Sequence, residues 1–356
     1  MSKLQLIVNP GSTTTKLAVF RDEEKICQET VEHTPEELAQ FANLIDQVPF
    51  RKGIAKDFLK KNNIDPSELS AIMGRGGMVW GIESGGYKVN DDLVTALKDE
   101  NLTSPHASCL GGLIGKSLAD ELGINAYIYD AVTGAALPEI ARITGYKEIR
   151  RNSCCHVLNM RAMSMKYAEE NGLDYNKLNL VVVHMGGGIS LSVHRHGKII
   201  DSIGDDDGPF SPERAGTTQI LEVLKLCFNG QNTYEDMKKK CRGKGGLYAH
   251  LGTSDGRKVE KMIADGDEYA KLVYDAMAYQ VAKGIGELSI ALKGEADAIV
   301  LTGGLAYSKM FTDNIAQYVK FIAPVVVEPG ENEMEALAMG GLRILNGQET
   351  AKEFKL

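Results

Sequence analysis

The chain has 356 residues, 43% hydrophobic and 25% charged, enough for two domains that each bury a core. Its net charge of −8 excludes a general nucleic-acid binder, which needs a basic surface, although a few arginines in a cleft can still reverse the local field for a small anion. Six cysteines without a C-x-x-C pair give neither a disulfide framework nor zinc spacing. With no membrane-length apolar run and no basic-then-apolar leader, a cytoplasmic protein with no membrane partner is expected.

Residues 3–9, 15–21 and 25–31 read as three strands. Between the first two, "NPGSTTTK" turns through Ser12, Thr13, Thr14 and Thr15, although an ordinary hairpin needs about two residues of the Asn-Gly kind. Backbone N–H groups in a Gly-containing turn form an anion-binding concavity, hydroxyls add donors, and Lys16 adds a point charge. Asn9, Ser12, Thr14 and Lys16 are therefore candidate phosphate ligands, and a Thr-rich hairpin without a ligand is the alternative. The capping box Thr34-Pro35-Glu36-Glu37 starts a helix, and a second covers 50–61. After a turn at Asp65-Pro66, "LSAIMGRGG" is a strand that delivers Arg75 between glycines. Ser104-Pro105-His106 begins a helix that runs to Leu122 and stops at Gly123. That helix contains "LGGLIGKS", which imitates a P-loop. Leu110 stands where the first glycine belongs, and a P-loop links strand to helix, so Lys116 reads as surface and the glycines as helix packing. "NAYIYD" is a strand ending at Asp130. Helices return around 138–144 and 154–171, with Gly172 as C-cap.

At 179 the opening layout restarts in different residues: "LVVVHMGGGISLSVHRHGKIIDSIG" is strand, glycine turn, strand, turn, strand. Gly186, Gly187 and Gly188 let backbone approach a phosphate closely, and a hairpin bulge without a ligand is the alternative. From 217 to 293 the chain is mostly helical, ending in an amphipathic stretch over 267–293. "DAIVLTGGLAYSKMF" is strand, Gly303-Gly304, helix, where a positive dipole end suits an anion or a nucleotide. "PVVVEPGENEMEALAMGGLRIL" is strand, loop, helix, closing at Gly347. The pattern is one duplicated α/β unit. Residues 1–155, completed by a C-terminal helix over 335–356, form the first lobe. Residues 156–334 are expected to form the second.

"NPGSTTTK", "GRGG", "SPHAS", "RNSCCHVLN", "HMGGGIS", "GPFSPERAG" and "LTGGLA" together resemble the acetokinase family, most closely its branch acting on butyrate, in order and over essentially the whole chain. The resemblance implies α/β architecture. It takes the form of two duplicated ribonuclease-H-like lobes, mixed five-stranded sheets with flanking helices, around a central nucleotide cleft. It implies phosphoryl transfer between ATP/ADP and a short-chain carboxylate such as butyrate, through butyryl phosphate, with Mg2+ and a homodimer or larger homo-oligomer. Residues 9–16 would be its first phosphate loop. Kinases of propionate, isobutyrate, acetate or a sugar, or an ATP-driven binding protein, are the alternatives on the same fold.

A carboxylate acceptor is already ionised at neutral pH, so no general base is needed. The obstacle is bringing it against the γ-phosphate, which calls for fixed cations and donors. By resemblance, Arg75 and Arg214 surround substrate and transferring phosphoryl. His106, read as just inside a helix start, would act as a neutral donor. Asp130 lies near metal and phosphoryl, and Glu333 is the magnesium-associated glutamate, with Glu331 and Glu335 leaving its register open. The family's phosphoryl-facing histidine is replaced by Asn152, so its role is in question or passes to Arg150 or Arg151. His156 reads as a structural helix residue. Asp205-Asp206-Asp207 reads as a solvated acidic loop rather than a metal site.

Overall fold

The apolar runs flanking the opening turn become β1 (Leu4–Pro10) and β2 (Thr14–Arg21), antiparallel with Val8 opposite Leu17. β3 (Glu24–Glu32) returns after Asp22, whose φ of 53° makes the turn tight. The computed structural model describes residues 2–356 and continues with β4 (Ala71–Arg75), β5 (Gly86–Lys88) and β6 (Asn125–Tyr129). β7 (Asn179–Met185), β8 (Ile189–Arg195) and β9 (Lys198–Ile203) repeat the opening meander. β10 (Ala298–Gly303), β11 (Val325–Pro329) and β12 (Lys352–Glu353) complete the set.

Two compact units result. One takes the chain up to Gly134 together with Asn332–Leu356, and the other takes Ala135–Glu331. These limits differ from the breaks near 155 and 334 expected from sequence. The first sheet runs β12-β5-β6-β4-β1-β2-β3 and the second β11-β10-β7-β8-β9. Each holds an antiparallel meander whose first strand pairs in parallel with a later one, β1 with β4 and β7 with β10. Each meander shifts register at one place, Val19/Phe20 and Val193/His194. The duplicated layout is thus present as topology. One expectation is corrected: the first sheet has seven strands, because β5 and β12 extend its edge beyond the shared five.

In the first unit the helix Cys109–Leu122 packs on β4 through glycines. A Cβ on Gly111 would lie 2.7 Å from the Arg75 amide nitrogen, and one on Gly74 would lie 2.4 Å from the Gly111 carbonyl oxygen. The P-loop look-alike is therefore a close helix–strand contact, and Lys116 pairs with Asp120 one turn on. In the second unit the helix Glu268–Ser289 buries Val273, Met277, Val281, Ile285 and Leu288 with β7 and β8 side chains. Each such burial contributes about 1.5–3 kcal/mol. Among the described residues no helix is long and apolar enough to cross a membrane.

Candidate active site

In the first unit the parallel strands place polar side chains at their carboxyl ends, where α/β sheets bind ligands. The β1–β4 register pairs Val8 with Gly74, so Asn9 and Arg75 follow side by side. Arg75 in turn pairs with Tyr129, the residue before Asp130. Glu333 opens the helix Glu333–Leu345 and reaches the same strand ends. Its Oε2 accepts from Asn9 Nδ2 at 2.7 Å, and its Oε1 meets Arg75 Nη1 at 2.5 Å. Asn9 and Glu333 are both buried. Of the three glutamates the sequence left open, Glu333 is the one that meets Asn9 and Arg75; Glu335 pairs with Lys25, and Glu331 belongs to the other unit, facing His184.

Asp130 is buried, with φ +48°, a backbone state rare for a residue with a side chain. Gly85 fixes it twice: Gly85 N donates to Asp130 Oδ1 at 2.7 Å, and Asp130 N donates to Gly85 O at 3.1 Å. His106 corrects an expectation, because the helix begins at Cys109 and His106 precedes it in a turn. Its Nδ1 accepts from Ser108 N at 3.2 Å and lies 2.8 Å from Ser108 Oγ. A neutral ring then carries its proton on Nε2, as a donor requires.

The opening turn has a one-sided hydrogen-bond pattern. The carbonyls of Gly11, Ser12 and Thr14 accept from Arg51, and the Thr13 carbonyl accepts from His33 N. Among the described residues the Ser12 and Thr13 amides donate to no protein acceptor, and the Lys16 side chain has no polar partner, although its backbone pairs with Asn9 and Thr30. Ser12 is exposed and Thr14 half-buried. Arg51, fully buried, was not identified from sequence.

The second unit repeats the pattern with glycines. Gly186 N closes the turn on Gly188 O at 2.9 Å, and Gly187 O accepts from Ser211 Oγ and Glu213 N. Among the described residues the Gly187 and Gly188 amides have no protein acceptor. The "SPERAG" loop is strapped to this turn, since Ser211 Oγ also accepts from Arg214 N at 3.1 Å. Arg214 Nε lies 3.2 Å from Asp205 Oδ2, and a Cβ on Gly188 would come within 2.6 Å of that oxygen. The acidic loop is therefore not simply solvated: Asp205 and Asp206 pair with both Arg214 and Arg242. Burial, and then the neighbouring Asp205 charge, push the Asp206 carboxyl above its ordinary range.

Asn159, from the helix Val157–Glu170, ties together the carboxyl ends of the central strands. Its Nδ2 reaches His184 Nδ1 at 3.0 Å, Thr302 Oγ1 at 3.1 Å and Gly330 O at 3.3 Å. His184 Nε2 then faces Glu331 Oε1 at 3.3 Å. His156 stacks on His184 with centroids 4.0 Å apart and caps that helix rather than lying within it, accepting from Asn159 N. Gly303, with φ +91°, would drive a Cβ to 2.6 Å from the Met185 carbonyl oxygen, so packing alone demands glycine there. Gly304 begins a 3₁₀ turn, and a Cβ on it meets nothing within 4 Å. Arg151 donates to Ser202 O and Ala141 O, and Arg150 pairs with Glu139, so both have structural partners. Asn152 accepts from Arg142.

Among the described residues no group of three or more His, Cys, Asp or Glu side chains could hold a metal ion. Both Glu333 oxygens are engaged by protein donors. A magnesium ion here would therefore have to rest mainly on water and phosphate oxygens, with one or two carboxylates at most.

A sequence profile described as the acetokinase family matches residues 138–339. The chain is 46% identical to a probable butyrate kinase of Clostridium botulinum, over 99% of each chain. It is also 46% identical to butyrate kinase 2 of Clostridium acetobutylicum, over 98% of this chain and 99% of that one. Its fold matches the acetate kinase of Porphyromonas gingivalis with a TM-score of 0.80 at 19% identity, covering 96% of this chain and 100% of that chain. The acetate kinase of Entamoeba histolytica gives 0.78 at 18% identity, over 96% and 99%.

Proposed function

The chain belongs to the acetokinase family, and from that premise we propose that it transfers the γ-phosphoryl group of ATP reversibly to butyrate. The observation that carries this reading is full-length identity of 46% to butyrate kinases. The polar cluster at the ends of β1, β4 and β6 supports it chemically. A carboxylate oxygen attacks the γ-phosphorus as the bond to ADP breaks, and ADP leaves with the electron pair, giving butyryl phosphate. No proton has to be removed from the acceptor, which is why the cluster needs donors and cations more than a base.

Arg75, oriented by Glu333 and Asn9, would take the incoming carboxylate with its planar fork. The amides of the opening turn, with Lys16, would take phosphoryl oxygens. Gly186, Gly187, Gly188, Gly303 and Gly304 would serve the nucleotide, and Arg214 its phosphates. His106 would donate from Nε2. Magnesium, held mainly by phosphate and water with Asp130 and Glu333 as carboxylate support, would neutralise the triphosphate.

The test is phosphorus NMR on the purified protein with MgATP and butyrate. Matched growth of acyl phosphate and ADP is expected. Their absence, or ATP hydrolysis indifferent to butyrate, would refute the reading. Chirally labelled ATP should give inversion at phosphorus, and retention would reveal a phosphoenzyme.

A further inference from the structure

Arg51 is fully buried in the helix Val48–Lys61. A buried charge usually has an opposite charge beside it, yet among the described residues no carboxylate pairs with this one. Its donors are instead spent on dipoles. Nε reaches Gln47 Oε1 at 3.1 Å. Nη1 reaches Gly11 O at 3.0 Å, Thr14 O at 2.6 Å and Thr15 Oγ1 at 3.0 Å. Nη2 reaches Ser12 O at 3.3 Å. Burial lowers the guanidinium to about 10, which still leaves it charged at neutral pH. Thr15 Oγ1 also meets His33 Nε2 at 2.7 Å, and burial, followed by the Arg51 charge, lowers the His33 pKa. A neutral imidazole adds no second charge there.

In a trans peptide the carbonyl of one residue and the N–H of the next point in opposite directions. With the Gly11 and Ser12 carbonyls turned to Arg51, the Ser12 and Thr13 N–H groups must point away from it. Without the guanidinium, the Gly11 and Ser12 carbonyls lose the donor that holds them, and those two peptides are freer to rotate and present oxygens where donors now stand, although Gly11 N–Thr14 O and His33 N–Thr13 O still close the turn.

We propose that Arg51 is the positioning residue of the phosphate loop: it touches no substrate, turns the loop's carbonyls inward, and so aims the Ser12 and Thr13 amides, backed by a buried positive charge, at the transferring phosphoryl group. The assignment rests on the reading of residues 9–16 as that loop. It goes further in naming the source of the loop's polarity, which lies outside the loop and on another element.

The test combines two measurements on the full chain. In the wild type, the amide resonances of Ser12 and Thr13 are followed while MgATP is added, and both are expected to shift saturably. Arg51→Gln and Arg51→Lys, each checked for native circular dichroism, are then assayed for kcat and for KM toward both substrates. Folded Arg51→Gln should lose about 10²-fold in kcat with KM for butyrate within about twofold, and Arg51→Lys should recover part of that loss. Wild-type kcat in a folded Arg51→Gln, or amides unmoved by saturating MgATP, overturns the proposal. Should Arg51→Gln not fold, the wild-type titration decides alone. A wild type that makes butyryl phosphate while these amides stay still defeats the Arg51 assignment and leaves the function standing. Shifting amides in a protein that makes no acyl phosphate do the reverse.

Discussion

Arg75 and Glu333 are 258 positions apart in the chain and meet at 2.5 Å, Nη1 to Oε1. Their side chains are only 18% and 11% exposed, so the pair is weakly screened. Asn9 joins them by donating to the other glutamate oxygen, which fixes the carboxylate from two sides. The pair holds the guanidinium in place at the strand end; if this is the carboxylate site proposed above, that orientation is preorganised electrostatic stabilisation, usually the largest single term in catalysis.

Replacing Arg75 by lysine keeps the charge and loses the planar fork. Arg75→Lys is therefore expected to lower kcat/KM for butyrate by about 10²-fold while shifting KM for ATP by less than about threefold. Steady-state kinetics with each substrate varied would check this. Wild-type kcat/KM for butyrate would remove Arg75 from the site.

Gly303 and Gly304 are neighbours with opposite expectations. Gly303→Ala forces a side chain into a left-handed backbone against Met185, which should cost about 1–3 kcal/mol and show as a lower Tm. Gly304→Ala meets no protein atom, so its Tm should be unchanged or slightly raised. If a nucleotide lies over that turn, Gly304→Ala raises KM for ATP; an unchanged KM with unchanged Tm would place the nucleotide elsewhere.

A Cβ on Gly188 collides with Asp205, the carboxylate that pairs with Arg214. Gly188→Ala should therefore displace Asp205 and Arg214 together and lower kcat by about tenfold or more. Arg214→Ala should lower kcat further while leaving the Kd for ATP within about threefold. Calorimetric ATP titration beside turnover rates separates the two effects, and normal turnover in Arg214→Ala would show that this arginine is only a structural partner of the acidic loop.

His194 gives a pH prediction. It is wholly buried between Tyr175 OH at 2.9 Å and Ser192 Oγ at 2.8 Å, and burial, with the Arg161 charge second, lowers it to about 3. The folded state keeps it neutral, whereas the unfolded chain protonates it near 6.5. Its contribution to stability is fully present above pH 6.5 and is lost as pH falls from there toward 3. The slope is about 1.4 kcal/mol per pH unit from this group. Urea midpoints at several pH values, compared between wild type and His194→Gln, should show the variant losing that part of the acid slope. Identical slopes would contradict a neutral His194.

Both meanders were legible because apolar strands flank unusual turns, and the repeat of that layout at 179 exposed the duplication. β5 and β12 escaped notice because three and two residues carry no period. The helix Asp91–Lys98 was missed despite its Asn90 cap. Arg51 was invisible for a different reason. In "PFRKGIAKDF" it looks like Lys52, a helix-surface cation, and its acceptors are mostly backbone carbonyls far off in sequence that no residue pattern announces. His106 was misplaced because Ser-Pro is a helix-start signal, yet here the chain makes a turn before the helix begins. Glu333 was one of three alternating glutamates, and only the fold shows which of them meets Asn9 and Arg75.

The most direct test is to trap acyl phosphate as its hydroxamate with the purified protein, MgATP and straight-chain acids from acetate to valerate. The account predicts hydroxamate with the highest kcat/KM at butyrate, falling on either side by the roughly 10–200-fold that one methylene can command. No hydroxamate with any acid would contradict it outright, and a maximum at acetate would contradict the assignment to butyrate.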